Sequence, residues 1–199
     1  MFTGIVSGIG TLLERQGQHF LIGCPYEPSG MRQGASIACD GCCLTLVSTG
    51  EAKGSGAMFA VDVSNETLAH TTLGDWREGR GINLERALSF RDELGGHLVT
   101  GHIDGRARIL EVASDGESVR VLVEAPGDLG QFIAPKGSVT LDGVSLTVNE
   151  VDGARFGVNL IPYTLTHTTW GDRVPGDLVN LEVDPIARYV ARLVQYKGR

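Results

Sequence analysis

Long apolar runs are absent from this 199-residue chain, and no stretch approaches the roughly 20 residues that a membrane-spanning helix needs. A helical membrane span is therefore excluded. Basic clusters are missing as well: 17 Lys and Arg stand against 24 Asp and Glu, for a net charge of −7. That balance argues against nucleic acid or an anionic membrane as the partner and leaves a small molecule. No charged leader precedes an apolar core at the N-terminus, so the expectation is a cytoplasmic protein. Cysteine is scarce. Of Cys24, Cys39, Cys42 and Cys43, only Cys39 and Cys42 form a C-x-x-C pair. No second ligand pair lies at zinc-site spacing, so free thiols and no metal are expected. Neither a P-loop nor a dinucleotide-binding glycine fingerprint occurs, which points away from those cofactors.

What the chain does contain is a duplication. Thr67-Leu68-Ala69-His70-Thr71-Thr72-Leu73-Gly74-Asp75 returns as Thr164-Leu165-Thr166-His167-Thr168-Thr169-Trp170-Gly171-Asp172, 97 residues on. Thr3-Gly4-Ile5-Val6-Ser7-Gly8 answers Thr100-Gly101-His102-Ile103-Asp104-Gly105, and Asp40-Gly41-Cys42-Cys43-Leu44-Thr45 answers Asp142-Gly143-Val144-Ser145-Leu146-Thr147. The spacing is too long for a solenoid or propeller unit, so each copy is expected to bury its own core as a domain of roughly 90 residues. The boundaries read as 1–97, 98–184 and a tail, 185–199.

With 28 glycines spread along the chain, many tight turns and an all-β class are expected. Alternating or short apolar segments predict strands at 2–6, 19–24, 36–39, 44–48, 58–63 and 82–85. The second copy gives 98–103, 118–123, 138–141, 145–149, 155–160 and 178–183. Asp40-Gly41 and Asp142-Gly143 read as two-residue type I′ hairpin turns. Two tandem six-stranded antiparallel, Greek-key-like barrels follow, because closure removes exposed edges. Short helices are expected at Ser64–Thr72, with Ser64 as N-cap, and at Pro162–Thr169, with proline in the first turn. In the tail, Ile186, Tyr189, Val190, Leu193 and Tyr196 share one helical stripe. So short a helix needs a partner surface, either its own barrel or another copy of the chain.

The copies diverge at a few positions: Phe2, Ile5 and Cys43 in the first correspond to Val99, His102 and Ser145 in the second. A thiol and an aromatic on one side, with an imidazole and a hydroxyl on the other, would suit two similar molecules that react together. The plainer readings are a small buried thiol for Cys43 and a satisfied polar residue for His102. His70 and His167 recur in both halves, which favours a structural role.

The blocks Met1-Phe2-Thr3-Gly4-Ile5-Val6, Asp40 to Thr45, Gly95-Gly96-His97 with Thr100-Gly101-His102, and Asp142 to Thr147 together resemble the riboflavin synthase family over essentially the whole chain. The resemblance implies a homotrimer held by C-terminal helices, which dismutates two molecules of 6,7-dimethyl-8-ribityllumazine. The products are riboflavin and 5-amino-6-ribitylaminouracil, and no cofactor takes part. It also implies sites between the first barrel of one subunit and the second barrel of a neighbour and, in some members, association with lumazine synthase.

Carried over by motif, the expected first-barrel site comprises Gly4, Ile5, Val6, Cys43, Leu44 and Thr45, with Asp62, Val63, Ser64, Asn65, Glu66 and Thr67. The second-barrel site comprises Gly101, His102, Ile103, Lys136, Ser145, Leu146 and Thr147, with Leu160, Ile161, Pro162, Tyr163, Thr164 and Leu165. Phe2, Cys43, His102, Ser145, Thr147 and Asp184 match the family's catalytic pattern. His102 with Ser145 or Thr147 would assist proton transfer, and Cys43 would help activate the acceptor. A non-catalytic lumazine- or flavin-binding protein of the same fold is the alternative; a reductase's flavin barrel is disfavoured because no nicotinamide domain follows.

Overall fold

The computed structural model describes residues 1–52 and 56–197; the last two residues of the expected tail lie outside them. Two closed antiparallel barrels account for most of the chain. The first comprises β1 (Gly8–Gln16), β2 (His19–Cys24), β3 (Ser36–Cys39), β4 (Cys42–Glu51), β5 (Ala57–Asp62) and β6 (Gly81–Arg86). Its strands run in the order β1-β2-β5-β4-β3-β6, and β6 pairs back onto β1. The second comprises β7 (Gly105–Asp115), β8 (Ser118–Glu124), β9 (Ser138–Leu141), β10 (Val144–Asp152), β11 (Arg155–Leu160) and β12 (Leu178–Val183), joined in the same topology. Closure leaves neither sheet with an open edge.

Each barrel fills its own interior, as the duplication requires. Phe20 and Ile22 of β2 meet Phe59 and Val61 of β5 and Trp76 in one core. Val121 and Val123 of β8 meet Phe156 and Val158 of β11 and Trp170 in the other. Alternation along β4 sends Cys42 and Leu44 inward and leaves Cys43 half-buried on the outer face.

The first strand of each copy is not where the sequence pattern puts it. Residues 2–6 and 98–103 are lead-in segments joined by a single antiparallel bridge between Phe2 and Val99, with Phe2 N donating to Val99 O at 2.8 Å. The true first strands are β1 and β7. In β1 only Gly10 and Leu12 are buried, and the register against β2 shifts between Leu12 and Glu14, so its two-residue apolar period is weak. The lead-ins look strand-like because Phe2 and Val99 are buried against each other, while Val6 and Ile103 pack partly against the barrel cores.

Both Asp-Gly turns adopt the expected geometry, with φ of 43° at Asp40 and 79° at Gly41, and 44° at Asp142 and 79° at Gly143. They meet back to back: a Cβ added to Gly41 would stand 2.7 Å from the Gly143 nitrogen. Helix α1 (Asn65–His70) is capped by Ser64, whose hydroxyl accepts from Thr67 N, and α2 (Pro162–His167) begins on its proline. The stretch 89–93 forms one hydrogen-bonded turn, Asp92 N to Ser89 O at 3.2 Å.

Helix α3 (Pro185–Lys197) leaves its apolar stripe open, from Ile186 at 57% exposed to Tyr196 at 75%. The helix touches its own barrel at residues 127–132 and through Arg188, but no described residue covers the apolar stripe.

Candidate active site

The two lead-in segments are exchanged between the barrels. Gly4 O accepts from Ser145 N of the second barrel at 2.7 Å, and Gly101 O accepts from Cys43 N of the first at 2.9 Å. Val6 packs against the second core and Ile103 against the first. Both glycines are required: φ is +76° at Gly4 and +77° at Gly101, and a Cβ at either would stand 2.6 Å from the Cβ of Ser145 or Cys43. The groups expected from sequence thus cross over. Gly101, His102 and Ile103 join Cys43, Leu44 and Thr45, whereas Gly4, Ile5 and Val6 join Ser145, Leu146 and Thr147.

Two buried carboxylates hold the crossing in place. Glu85 accepts from Thr3 N at 2.7 Å, Thr3 Oγ1 at 2.8 Å and Gly4 N at 3.0 Å. Glu182 accepts from Thr100 N at 2.8 Å, Thr100 Oγ1 at 2.6 Å and Gly101 N at 2.8 Å. Burial pushes both carboxyls up, and the three bonds to each oppose that shift. Sequence reasoning missed this pair, whose signal is Asn83-Leu84-Glu85 returning as Asn180-Leu181-Glu182.

In the first pocket Cys43 and Thr45 share the outer face of β4. The register that sets Leu46 opposite Val61 continues to bring Thr45 alongside Asp62, whose carboxylate lies 2.7 Å from His19 Nδ1. Beyond it come Ser64, Asn65, Glu66 and Thr67 at the start of α1. Exposed His102 has no hydrogen-bond partner among the described residues, so its imidazole is free to meet a ligand. Phe2 is fully buried with Val99 and Ala38 and packs against Cys43. It forms the wall behind the thiol.

In the second pocket Ser145 and Thr147 share the outer face of β10, and continuing the Val148–Val158 register brings Ser145 alongside Ile161. Ile161, Pro162 and Tyr163 are exposed; Thr164 and Leu165 are half-buried. Tyr163 stacks on His167 at 3.9 Å, while at the matching positions of the first copy Glu66 lies 3.2 Å from His70. Both histidines are exposed at the C-terminal ends of their helices. Lys136 is exposed and left-handed, φ 66°, with its amide bonded to Val148 O. Leu44, Val63, Leu146 and Leu160 are buried in the barrel cores and can offer a ligand only main-chain groups.

A further residue emerges in the second pocket. His97 Nδ1 lies 2.7 Å from Ser145 Oγ, and its Nε2 lies 3.1 Å from Thr140 Oγ1. Burial pushes the His97 imidazole down, against the opposing charge of Asp184, and so favours the neutral ring. Asp184 itself accepts from Ile186 N at 2.9 Å, at the root of α3.

A cavity of about 660 Å³ opens beside Ile5 and is lined by Thr3, Ser7, Met31, Leu46 and Arg86. Cys43, His102 and Ser145 are not among its walls.

Comparison with known proteins identifies the family. A lumazine binding domain profile matches twice, at residues 3–87 and 100–184. The chain is 49% identical to riboflavin synthase of Brucella abortus (strain 2308), over 99% of this chain and 100% of that one. It is 38% identical to riboflavin synthase of Mycobacterium tuberculosis (strain ATCC 25618 / H37Rv) over the full length of both. Among solved structures, LumP complexed with riboflavin superposes with a TM-score of 0.78 at 25% identity, covering 92% of this chain and 99% of that one. Two lumazine binding domain matches, each falling on one closed barrel of a single polypeptide, define the class. The chain belongs to the riboflavin synthase family and is an enzyme, a transferase. The non-catalytic alternative has no better support.

Proposed function

We propose that the two unequal pockets each hold one 6,7-dimethyl-8-ribityllumazine and that working sites form where the first pocket of one subunit faces the second pocket of a neighbour. The observation that carries this reading is the crossing of the lead-ins, which gathers Cys43 with His102 on one barrel and Ser145 with His97 on the other. Each cluster lies on an outer face, where only another surface can complete it.

The donor lumazine loses a proton from its 7-methyl group, and the carbanion is delocalised into the ring. In the second pocket the Ser145 hydroxyl, held by neutral His97, is suited to pass that proton on, with Thr147 beside it. In the first pocket Cys43 and His102 flank the acceptor ring, whose carbon 7 must be activated by an added nucleophile before attack. Asp62 and the hydroxyls of Ser64 and Thr67 suit the ribityl chain. Holding both rings in register supplies much of the rate, since two bound reactants behave as one.

Helix α3 holds the assembly, a homotrimer in this reading. Its open apolar stripe is the support, because a 13-residue helix is marginal without a partner surface. Four free cysteines accord with a reducing, cytoplasmic compartment. The test is to mix the purified chain with 6,7-dimethyl-8-ribityllumazine and follow flavin fluorescence while sedimentation reports assembly. Flavin should form in proportion to the trimer, and a chain cut after Asp184 should lose both. Binding without flavin formation would refute the catalytic reading, and a fully active monomer would refute the shared site.

A further inference from the structure

Asp104 is the counterpart of Ser7, and their main chains behave alike: Ser7 N donates to Leu84 O at 2.9 Å and Asp104 N to Leu181 O at 2.8 Å. Their side chains do not. The Ser7 hydroxyl stays within its own barrel, 2.7 Å from Tyr26 Oη. Asp104 instead carries a carboxylate whose side chain is only 9% exposed. One oxygen accepts from Val183 N at 2.9 Å; the other accepts from Arg188 Nη2 of α3 at 2.6 Å. The repeat that gained a following helix also gained a nearly buried acid, and that helix supplies its counter-ion.

The position of this pair in the chain gives it a consequence. Asp104 lies two residues after His102; between them Ile103 packs into the first barrel's core, and just before them Gly101 O receives the Cys43 amide. A continuous set of bonds therefore runs from α3 through Arg188 and Asp104 to the strip that carries His102 and whose Gly101 carbonyl receives the Cys43 amide. Without the guanidinium, the carboxylate would keep a single donor in a desolvated place, and the cheapest relief is for the strip to move toward water.

We infer that Arg188 is a positioning residue: through Asp104 it fixes the segment 101–103, so that seating α3 in the assembly sets His102 and Cys43 in working geometry. The inference rests on the reading that His102 and Cys43 share a pocket and that α3 holds subunits together. Its expected signature is a change in turnover, with substrate binding and assembly left intact.

The experiment compares Arg188→Ala, Arg188→Lys, Asp104→Ser, the double variant Arg188→Ala/Asp104→Ser and, as a control, His102→Ala in the full chain. Each is assayed for kcat and KM with 6,7-dimethyl-8-ribityllumazine and for assembly by sedimentation. Arg188→Ala should keep the assembly and lose about tenfold in kcat, with KM moving by less than about twofold. Lysine should restore most of the rate, since one donor suffices, and the double variant should be no worse than Arg188→Ala, because both remove the same bond. Unchanged kcat in Arg188→Ala beside an inactive His102→Ala overturns the inference while leaving the site reading standing. Dissociation of Arg188→Ala in step with its lost rate also overturns it, by making Arg188 an assembly residue only. Full activity in His102→Ala overturns the site reading on which the inference rests.

Discussion

Asn83 and Asn180 reach across the boundary between the barrels in opposite directions. Asn83 Nδ2 donates to the Asp142 carbonyl, and Asn180 Nδ2 donates to the Asp40 carbonyl, each at 2.9 Å. Their side-chain oxygens accept in turn from Thr169 N at 2.8 Å and Thr72 N at 2.7 Å. Both asparagines are buried, so these bonds fix how the two pockets are disposed on one chain.

Replacing Asn83 by Ala removes two of these bonds and strands the Asp142 carbonyl and the Thr169 amide. Urea unfolding should show a loss of about 2–4 kcal/mol. A loss below about 0.5 kcal/mol, the range of neutral surface changes, would mean that the barrels are held together by other contacts.

The Asp-Gly turn at Asp40, beside this network, should respond to pH. Burial first, then the neighbouring Asp142, pushes Asp40 up to about 7 from its ordinary 3.8, against the pull of Arg80 and Arg173. A carboxyl whose folded-state value lies above the unfolded one contributes stability that is fully present below the unfolded value. That contribution is lost as pH rises through the folded value. Asp40→Asn cannot ionise, keeps an acceptor for the Asn83 amide and tolerates the left-handed φ of 43°. Its stability relative to the parent chain should therefore rise between pH 3.8 and about 7 and level off above. Urea titrations at a series of pH values measure this, and a constant difference across the range would contradict it.

The serine-histidine pair makes a kinetic prediction. His97 is pushed below its ordinary 6.5 by burial and must be neutral to hold or accept the Ser145 proton. The acid limb of kcat should therefore fall at a pH below 6.5, and His97→Asn should lower kcat by about a hundredfold without unfolding the chain. Wild-type turnover in that variant would remove His97 from the mechanism.

These residues show where sequence patterns stop informing. Asp40-Gly41 and Asp142-Gly143 were legible because a two-residue hairpin demands positive φ at both positions, and Ser64 because an N-cap has a local signature. The exchange of the lead-ins was not legible, since apolar patterning reports that Val6 and Ile103 face a core but not which barrel's core. The missed strand β1 exposes Ile9 and Leu13 on its outer face, where alternation expects polar residues, and β1 and β7 each carry a register shift that blurs the period. Arg188 meets Asp104 only through the placement of α3, which no spacing encodes.

The central claim is that each working site takes Cys43 and His102 from one chain and Ser145 and Thr147 from another. Mixing two disabled chains, Cys43→Ala/His102→Ala and Ser145→Ala/Thr147→Ala, tests it most directly when they are co-expressed and assayed for flavin formation beside each variant alone. Each alone should be inactive, and the mixture should regain activity, because every mixed assembly contains an interface that pairs an intact first pocket with an intact second one. A mixture that forms mixed assemblies yet stays as inactive as its components would show that the site lies within a single chain.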